Sequence, residues 1–220
     1  MVAVQGFSPH QVQTYFDALC SRFSVFIFAS LDDYYDEMFN YQSKSEIIAR
    51  YVKLLHEVLP FDAHVHAFTG HCVGGELAYR CAAKWQAETG QSPKIVVLNT
   101  LLRTDEEVHQ MLPPKAVVNQ MSPERQEKFN EWLVQHERVT KTLDNVPMPS
   151  FKGDVVIFRA PEPFLAVNLL TIDEEGFARR DSINMQRWHE LQPQIEVVTI
   201  AANNFTMLEP QYANLYLEKI

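Results

Sequence analysis

The chain reads as an α/β protein with a mostly parallel central sheet and helices on both faces. Three observations predict this. Strand-like and helix-like segments alternate along the sequence. Three short apolar runs have the composition of strands buried on both faces. One tight strand-to-helix turn is built from glycines around a cysteine, in the stretch Phe68-Thr69-Gly70-His71-Cys72-Val73-Gly74-Gly75.

Taken in order, Met1 to Val4 is an apolar start with the character of a strand. Ser8 and Pro9 supply an N-cap and a first-turn proline for a helix with Val12, Tyr15, Phe16 and Leu19 on one face. A strand is expected over Phe23 to Ala29. The capping box Ser43-x-x-Glu46 opens a helix through Ile47, Ile48, Tyr51, Leu54, Leu55 and Val58, which Pro60 ends. A strand over Ala63 to Phe68 leads into the cysteine turn.

Beyond the turn, Gly75, Leu77, Ala78, Cys81 and Ala82 mark a helix whose small residues allow close packing on the sheet, with Gly90 as its C-cap. The runs Lys94 to Leu98, Val155 to Phe158 and Ile195 to Ile200 are expected to be central strands. Between the first two, Thr104 to about Pro149 reads as helices, with a capping box at Thr104-x-x-Glu107 and an N-cap and proline at Ser122-Pro123. A helical insertion there commonly covers the site above the strand ends, so residues 101–150 are expected to form a lid on a single domain spanning 1–220.

Composition narrows the function. With 220 residues, 46% hydrophobic and 21% charged, the profile is that of one soluble globular domain. No apolar run approaches the roughly 18 residues that span a bilayer, and the N-terminus lacks the basic-then-apolar order of a signal peptide. A cytoplasmic location away from membranes is expected. The net charge of −9, without a Lys/Arg block, argues against a nucleic-acid surface, because neutralising phosphates needs clustered cations. Cys20, Cys72 and Cys81 form no CxxC pair and are odd in number, which argues for free thiols over disulfides or zinc. No metal and no bound cofactor is expected.

Gly70-His71-Cys72-Val73-Gly74-Gly75-Glu76-Leu77-Ala78 resembles the GHSxGGxxA pattern in the thioesterase domains of nonribosomal peptide and polyketide synthases, which are α/β-hydrolases. The resemblance extends over nearly the whole chain. It takes in the Gly6-Phe7 loop, Val25 to Phe28, Val96-Val97-Leu98-Asn99-Thr100, the helical insertion, and Asn203-Asn204-Phe205-Thr206-Met207-Leu208. The abrupt chain ends fit a domain excised from a synthase. The resemblance implies an α/β-hydrolase fold, a nucleophile at Cys72, and an oxyanion hole from the backbone N–H groups of Val73 and of Gly6 and Phe7. It also implies an acyl or peptidyl substrate presented on the phosphopantetheine of a carrier protein. In that family the acid lies in a Leu-Asp-Ser motif and the base in Gly-Asp-His-Phe-x-Met-Leu. The matching positions here are Asn99 and Asn204.

All three catalytic positions therefore depart from serine, aspartate and histidine, and the departures agree with one another. A serine hydroxyl needs a base, whereas a few per cent of a thiol ionises unaided near neutral pH, and a helix N-terminus raises that fraction. Without an imidazole to orient, an aspartate at position 99 would be buried at a desolvation cost that asparagine largely avoids. Exchange of a carrier thioester for a Cys72 thioester needs no base. Hydrolysis needs a deprotonated water, which a positioned histidine accelerates roughly 10²–10⁴-fold. The site thus favours acyl transfer, aminolysis or cyclisation over plain hydrolysis, aided by about 2.7–4 kcal/mol per oxyanion-hole donor.

Plainer readings stand beside these. Cys20 and Cys81, on helix faces, are expected to be small buried hydrophobes. Asn99 and Asn204 fit equally as neutral turn residues at strand ends. His71 is read as structural and a poor base. His10 and His109 are the histidines best placed to approach Cys72, though each also fits a surface position. Glu162 lies where other α/β-hydrolases carry their acid, but fits a solvated loop carboxylate. Trp85, Trp132 and Trp188 fit packing faces of helices. Two function classes follow: an acyl-transferring, thioesterase-like enzyme, and a catalytically inactive pseudo-thioesterase kept for carrier docking or architecture. Editing hydrolysis is a weaker third. Exchange for a more nucleophilic residue at position 72 favours the first, and the loss of acid and base favours the second.

Overall fold

The computed structural model describes residues 1–4, 9–28, 44–102, 122–123, 126, 147–162, 174–204 and 206–220. Its elements are β1 (Val2–Val4), α1 (Pro9–Cys20), β2 (Phe26–Phe28), α2 (Lys44–Val58), β3 (Ala67–His71) and α3 (Val73–Thr89). They continue with β4 (Lys94–Leu98), β5 (Val155–Arg159), α4 (Glu174–Leu191), β6 (Glu196–Thr199), a 3-10 turn at Thr206–Leu208, and α5 (Pro210–Lys219). The six strands form one sheet in the order β2-β1-β3-β4-β5-β6, with every pair parallel. This is the α/β-hydrolase architecture expected from the sequence.

Side-chain alternation divides the core into two layers. Val2, Val4, Phe68, Ile95, Val97, Val155 and Ile157 pack with α2, α3 and Trp188 of α4 on one face. Ala3, Val96, Leu98, Val156 and Phe158 pack with Tyr15, Phe16 and Leu19 of α1 and Tyr216 and Leu217 of α5 on the other. Each Val, Leu, Ile or Phe side chain removed from water contributes about 1.5–3 kcal/mol. Trp85 and Trp188 are buried in the first layer, and Trp132 lies outside the described residues.

Three strand expectations need correction. The ladder of β3 starts at Ala67, not Ala63, and runs on through Gly70 and His71. Its neighbours set these limits, since Lys94 opens β4 opposite Ala67 and Leu98 closes it opposite His71. Likewise β2 starts at Phe26 and not Phe23, opposite Val2, the first residue of β1, while the expected end at Ala29 lies outside the described residues. The third correction concerns Ile195 to Ile200. It supplies β6, which among the described residues pairs with β5 alone at the edge of the sheet and has Glu196 and Thr199 exposed, and it is not a doubly buried central strand. An apolar run reports strand character, whereas edge or centre is decided by how many neighbours the topology supplies. Helix α5, opened by Pro210, was not anticipated from the sequence.

The expected lid falls almost wholly outside the described residues, but both of its stems are described. On the entry side, Leu102 N–H donates to Asn184 Oδ1 (2.7 Å) and Leu102 O accepts from Arg187 Nη1 (2.7 Å). Thr100 O accepts from Asn184 Nδ2 and Trp188 Nε1, each at 3.1 Å. On the exit side, Arg80 Nη1 reaches Pro147 O (3.1 Å), Gln192 Nε2 reaches Phe151 O (2.8 Å), and Gln86 accepts from the Lys152 N–H (2.9 Å). Among the described residues no helix is long and apolar enough to cross a membrane.

Candidate active site

Strand β3 ends at His71 and α3 begins at Val73, so the chain must reverse within the single residue Cys72. Its φ of 54° and ψ of −124° lie in a region that L-residues rarely adopt. Holding a residue there costs about 1–3 kcal/mol, and surrounding contacts must over-determine it. Cys72 N–H donates to Leu98 O of β4 (2.9 Å), and Cys72 O accepts from Gly75 N–H (3.1 Å).

The flanking glycines are required by the close approach of helix and strand. A Cβ on Gly70 would lie 2.2 Å from Gly74 O, and one on Gly75 would lie 1.8 Å from Thr100 Oγ1. The turn thereby holds Cys72 half-buried at the start of α3, with no side-chain cap bond of its own.

Asn99 follows β4 in the left-handed region, φ 45°, which asparagine tolerates better than most residues. Its N–H donates to Phe158 O (2.7 Å) and its Oδ1 accepts from Ala160 N–H (3.3 Å). Asn99 Nδ2 donates to Asn204 Oδ1 at 2.9 Å. Residue 204 arrives from beyond edge strand β6 and reaches back across the top of β5. The turn carrying it is pinned by reciprocal bonds of 3.0 Å between Asn203 and Thr206.

His71 completes the cluster. Its Nε2 is 2.8 Å from Asn204 O and 3.1 Å from Asn204 Oδ1. Burial pulls the imidazole pKa down from 6.5 to about 4, against the opposing effect of its bonds to Asn204. It is neutral near pH 7. The structure therefore brings His71, Asn99 and Asn204 into one hydrogen-bonded group at the end of the sheet where Cys72 sits. No sequence signal marks the bond between His71 and Asn204, which joins positions 133 residues apart.

Val73 is the first residue of α3. Gly6, Phe7 and His109 lie outside the described residues, as does the side chain of His10. Glu162 is exposed, held through its N–H to Ala202 O (3.1 Å). Cys81 is buried, and burial pushes its thiol pKa up. Cys20 corrects the expectation of a buried position: it is exposed, as the last residue of α1, beyond the packed Tyr15, Phe16 and Leu19. Among the described residues no group of three or more His, Cys, Asp or Glu side chains could hold a metal ion.

A family model described as thioesterase domain matches residues 13–220. Curated proteins give no match. Among solved structures, the NocB thioesterase domain from the nocardicin cluster is 15% identical, with 99% of this chain and 91% of that one covered and a TM-score of 0.58. The Vlm2 thioesterase domain bound with a dodecadepsipeptide is 14% identical, with 97% and 94% covered and a TM-score of 0.60. The type II thioesterase BorB from the borrelidin biosynthetic cluster is 15% identical, with 99% and 88% covered and a TM-score of 0.57. At these identities the likeness is one of fold.

Proposed function

This chain belongs to the thioesterase domain family, and from that premise we propose that it handles acyl thioesters of a peptide or polyketide assembly line through Cys72. The observation that carries this reading is the strained backbone of Cys72 between β3 and α3, which presents one thiol at a helix N-terminus. The Cys72 thiolate attacks the carbonyl of an acyl group on a carrier protein's phosphopantetheine. The bond to the pantetheine sulfur breaks, its thiolate leaves, and a Cys72 thioester remains. One thioester replaces another, so no acid or base is consumed.

An amine then attacks the Cys72 thioester, forming an amide, and the released Cys72 sulfur retains the proton that the amine loses. Water is the poorer acceptor, because His71 is neutral with its Nε2–H committed to Asn204, and neither asparagine is a base. That same lack of a base favours the second reading, an inactive domain that docks carriers without turning over. A test separates the two. The intact mass of the protein is recorded after incubation with acyl-pantetheine thioesters of several chain lengths. An acyl adduct on the native chain that is absent from Cys72→Ala is expected. No adduct at any chain length sinks the enzyme reading.

A further inference from the structure

Helix α3 is buried from Gly74 to Ala83, Glu76 and Arg80 included. Part of its cover is the stretch 147–153, a strap that touches α3 at Arg80 and Gln86 on its way into β5. The two halves of this strap are held differently. In the half next to β5, Gln192 Nε2 donates to Phe151 O (2.8 Å) and Lys152 N–H donates to Gln86 Oε1 (2.9 Å). Lys152 O accepts from Gln86 Nε2 (2.6 Å) and from Ser92 Oγ. Phe151 is itself buried, edge-on to Tyr79 of α3 with ring centres 5.9 Å apart. In the other half, residues 147–150 have one hydrogen bond among the described residues, donated by Arg80 Nη1 to Pro147 O (3.1 Å). Two of those four residues are prolines, which have no backbone N–H to give.

Arg80 makes this bond with one arm of a fork. Its Nε donates to Glu76 Oε1 at 2.9 Å, one turn back on α3, and both side chains are buried. A buried ion pair is weak evidence for stability, because desolvation offsets its attraction. What it does fix is direction, since a guanidinium held at Nε aims its remaining N–H groups along set lines. We propose that Arg80 is a positioning residue and the latch of this strap: when its bond to Pro147 opens, residues 147–150 lift from α3 as one piece, pivoting at Phe151, while β5 stays in the sheet. A change of course in the chain ahead of β5 then requires the breaking of one hydrogen bond. The latch is independent of the chemistry assigned to Cys72.

Amide hydrogen exchange, read residue by residue, tests this without an acyl donor. Arg80→Lys keeps a cation beside Glu76 but loses the second arm of the fork. A hydrogen bond to a charged group is worth about a tenfold change in an opening equilibrium. Exchange at Met148 and Ser150 is therefore expected to quicken about tenfold in Arg80→Lys, with Lys152 left at its native rate. Native rates at Met148 and Ser150 overturn the latch. Equal quickening at Lys152 overturns the proposal as well, since the strap then loosens as a whole and has no pivot. Should Arg80→Lys fail to fold, Glu76→Leu combined with Arg80→Met serves instead, because an apolar pair of similar volume often replaces a buried ion pair without loss of stability. The same rates at Met148, Ser150 and Lys152 decide it.

Discussion

Asn99 Nδ2 donates to Asn204 Oδ1 across 2.9 Å, tying the end of β4 to a turn 105 residues later in the chain. The bond has a direction. Asn99→Asp would set a carboxylate oxygen against an amide oxygen and is expected to cost about 1–3 kcal/mol. Adding Asn204→His supplies a ring N–H and should return much of that. A double-mutant cycle by urea unfolding measures the coupling, and simple additivity would show the two positions to be independent. If they also mark an acid and base site, the double variant hydrolyses a Cys72 acyl adduct roughly 10²-fold faster or more.

The backbone of Cys72 makes a separate prediction. Its φ of 54° and ψ of −124° suit glycine, which pays no Cβ penalty there. Cys72→Gly should be more stable than Cys72→Ala by about 1 kcal/mol, the strain of about 1–3 kcal/mol being partly offset by glycine's looser unfolded chain. Thermal melting of the two variants decides it. Equal midpoints would mean that the turn carries no strain.

Close packing under the elbow is testable at Gly75, where an added Cβ would lie 1.8 Å from Thr100 Oγ1. Gly75→Ala should cost about 1–3 kcal/mol or more through overpacking. Thr100→Ala removes the nearest obstructing atom and should recover part of the loss. Gly70→Ala meets the backbone oxygen of Gly74 at 2.2 Å, and no side-chain substitution relieves that contact. Comparable rescue at both glycines in denaturant titrations would contradict this account.

Acid should destabilise the fold through His71. Its pKa lies near 4 in the folded state and near 6.5 when free, so the unfolded chain binds the proton more tightly. Stability from this residue is complete above pH 6.5 and is lost as pH falls toward 4, by on the order of 3 kcal/mol. His71→Gln does not titrate. Its unfolding free energy relative to the native chain should improve steadily between pH 6.5 and 4.5. A pH-independent difference would place the titration elsewhere.

Local chemistry made much of this legible in advance. Lys94 to Leu98 and Val155 to Phe158 read as strands because burial on both faces leaves an unbroken apolar run, and both are strands. Gly90 read as a cap because a helix end needs a left-handed residue, and its φ is 75°. The edge position of β6 was not legible, since Val197 and Val198 look the same whether one neighbour or two flank them. Nor was the contact of His71 with Asn204, which depends on a turn beyond β6 folding back over β5. Asn99 and Asn204 were paired as positions by motif and spacing, and they are hydrogen-bonded, but the direction of that bond follows from the Ala160 N–H on Asn99 Oδ1, which no sequence pattern marks.

Leu102 and Pro147 are each held by a helix that packs on the sheet, Leu102 by Asn184 and Arg187 of α4 and Pro147 by Arg80 of α3. Helix α3 also starts directly from the Cys72 turn. A shift of that one helix would therefore be felt at the turn and at Pro147 together.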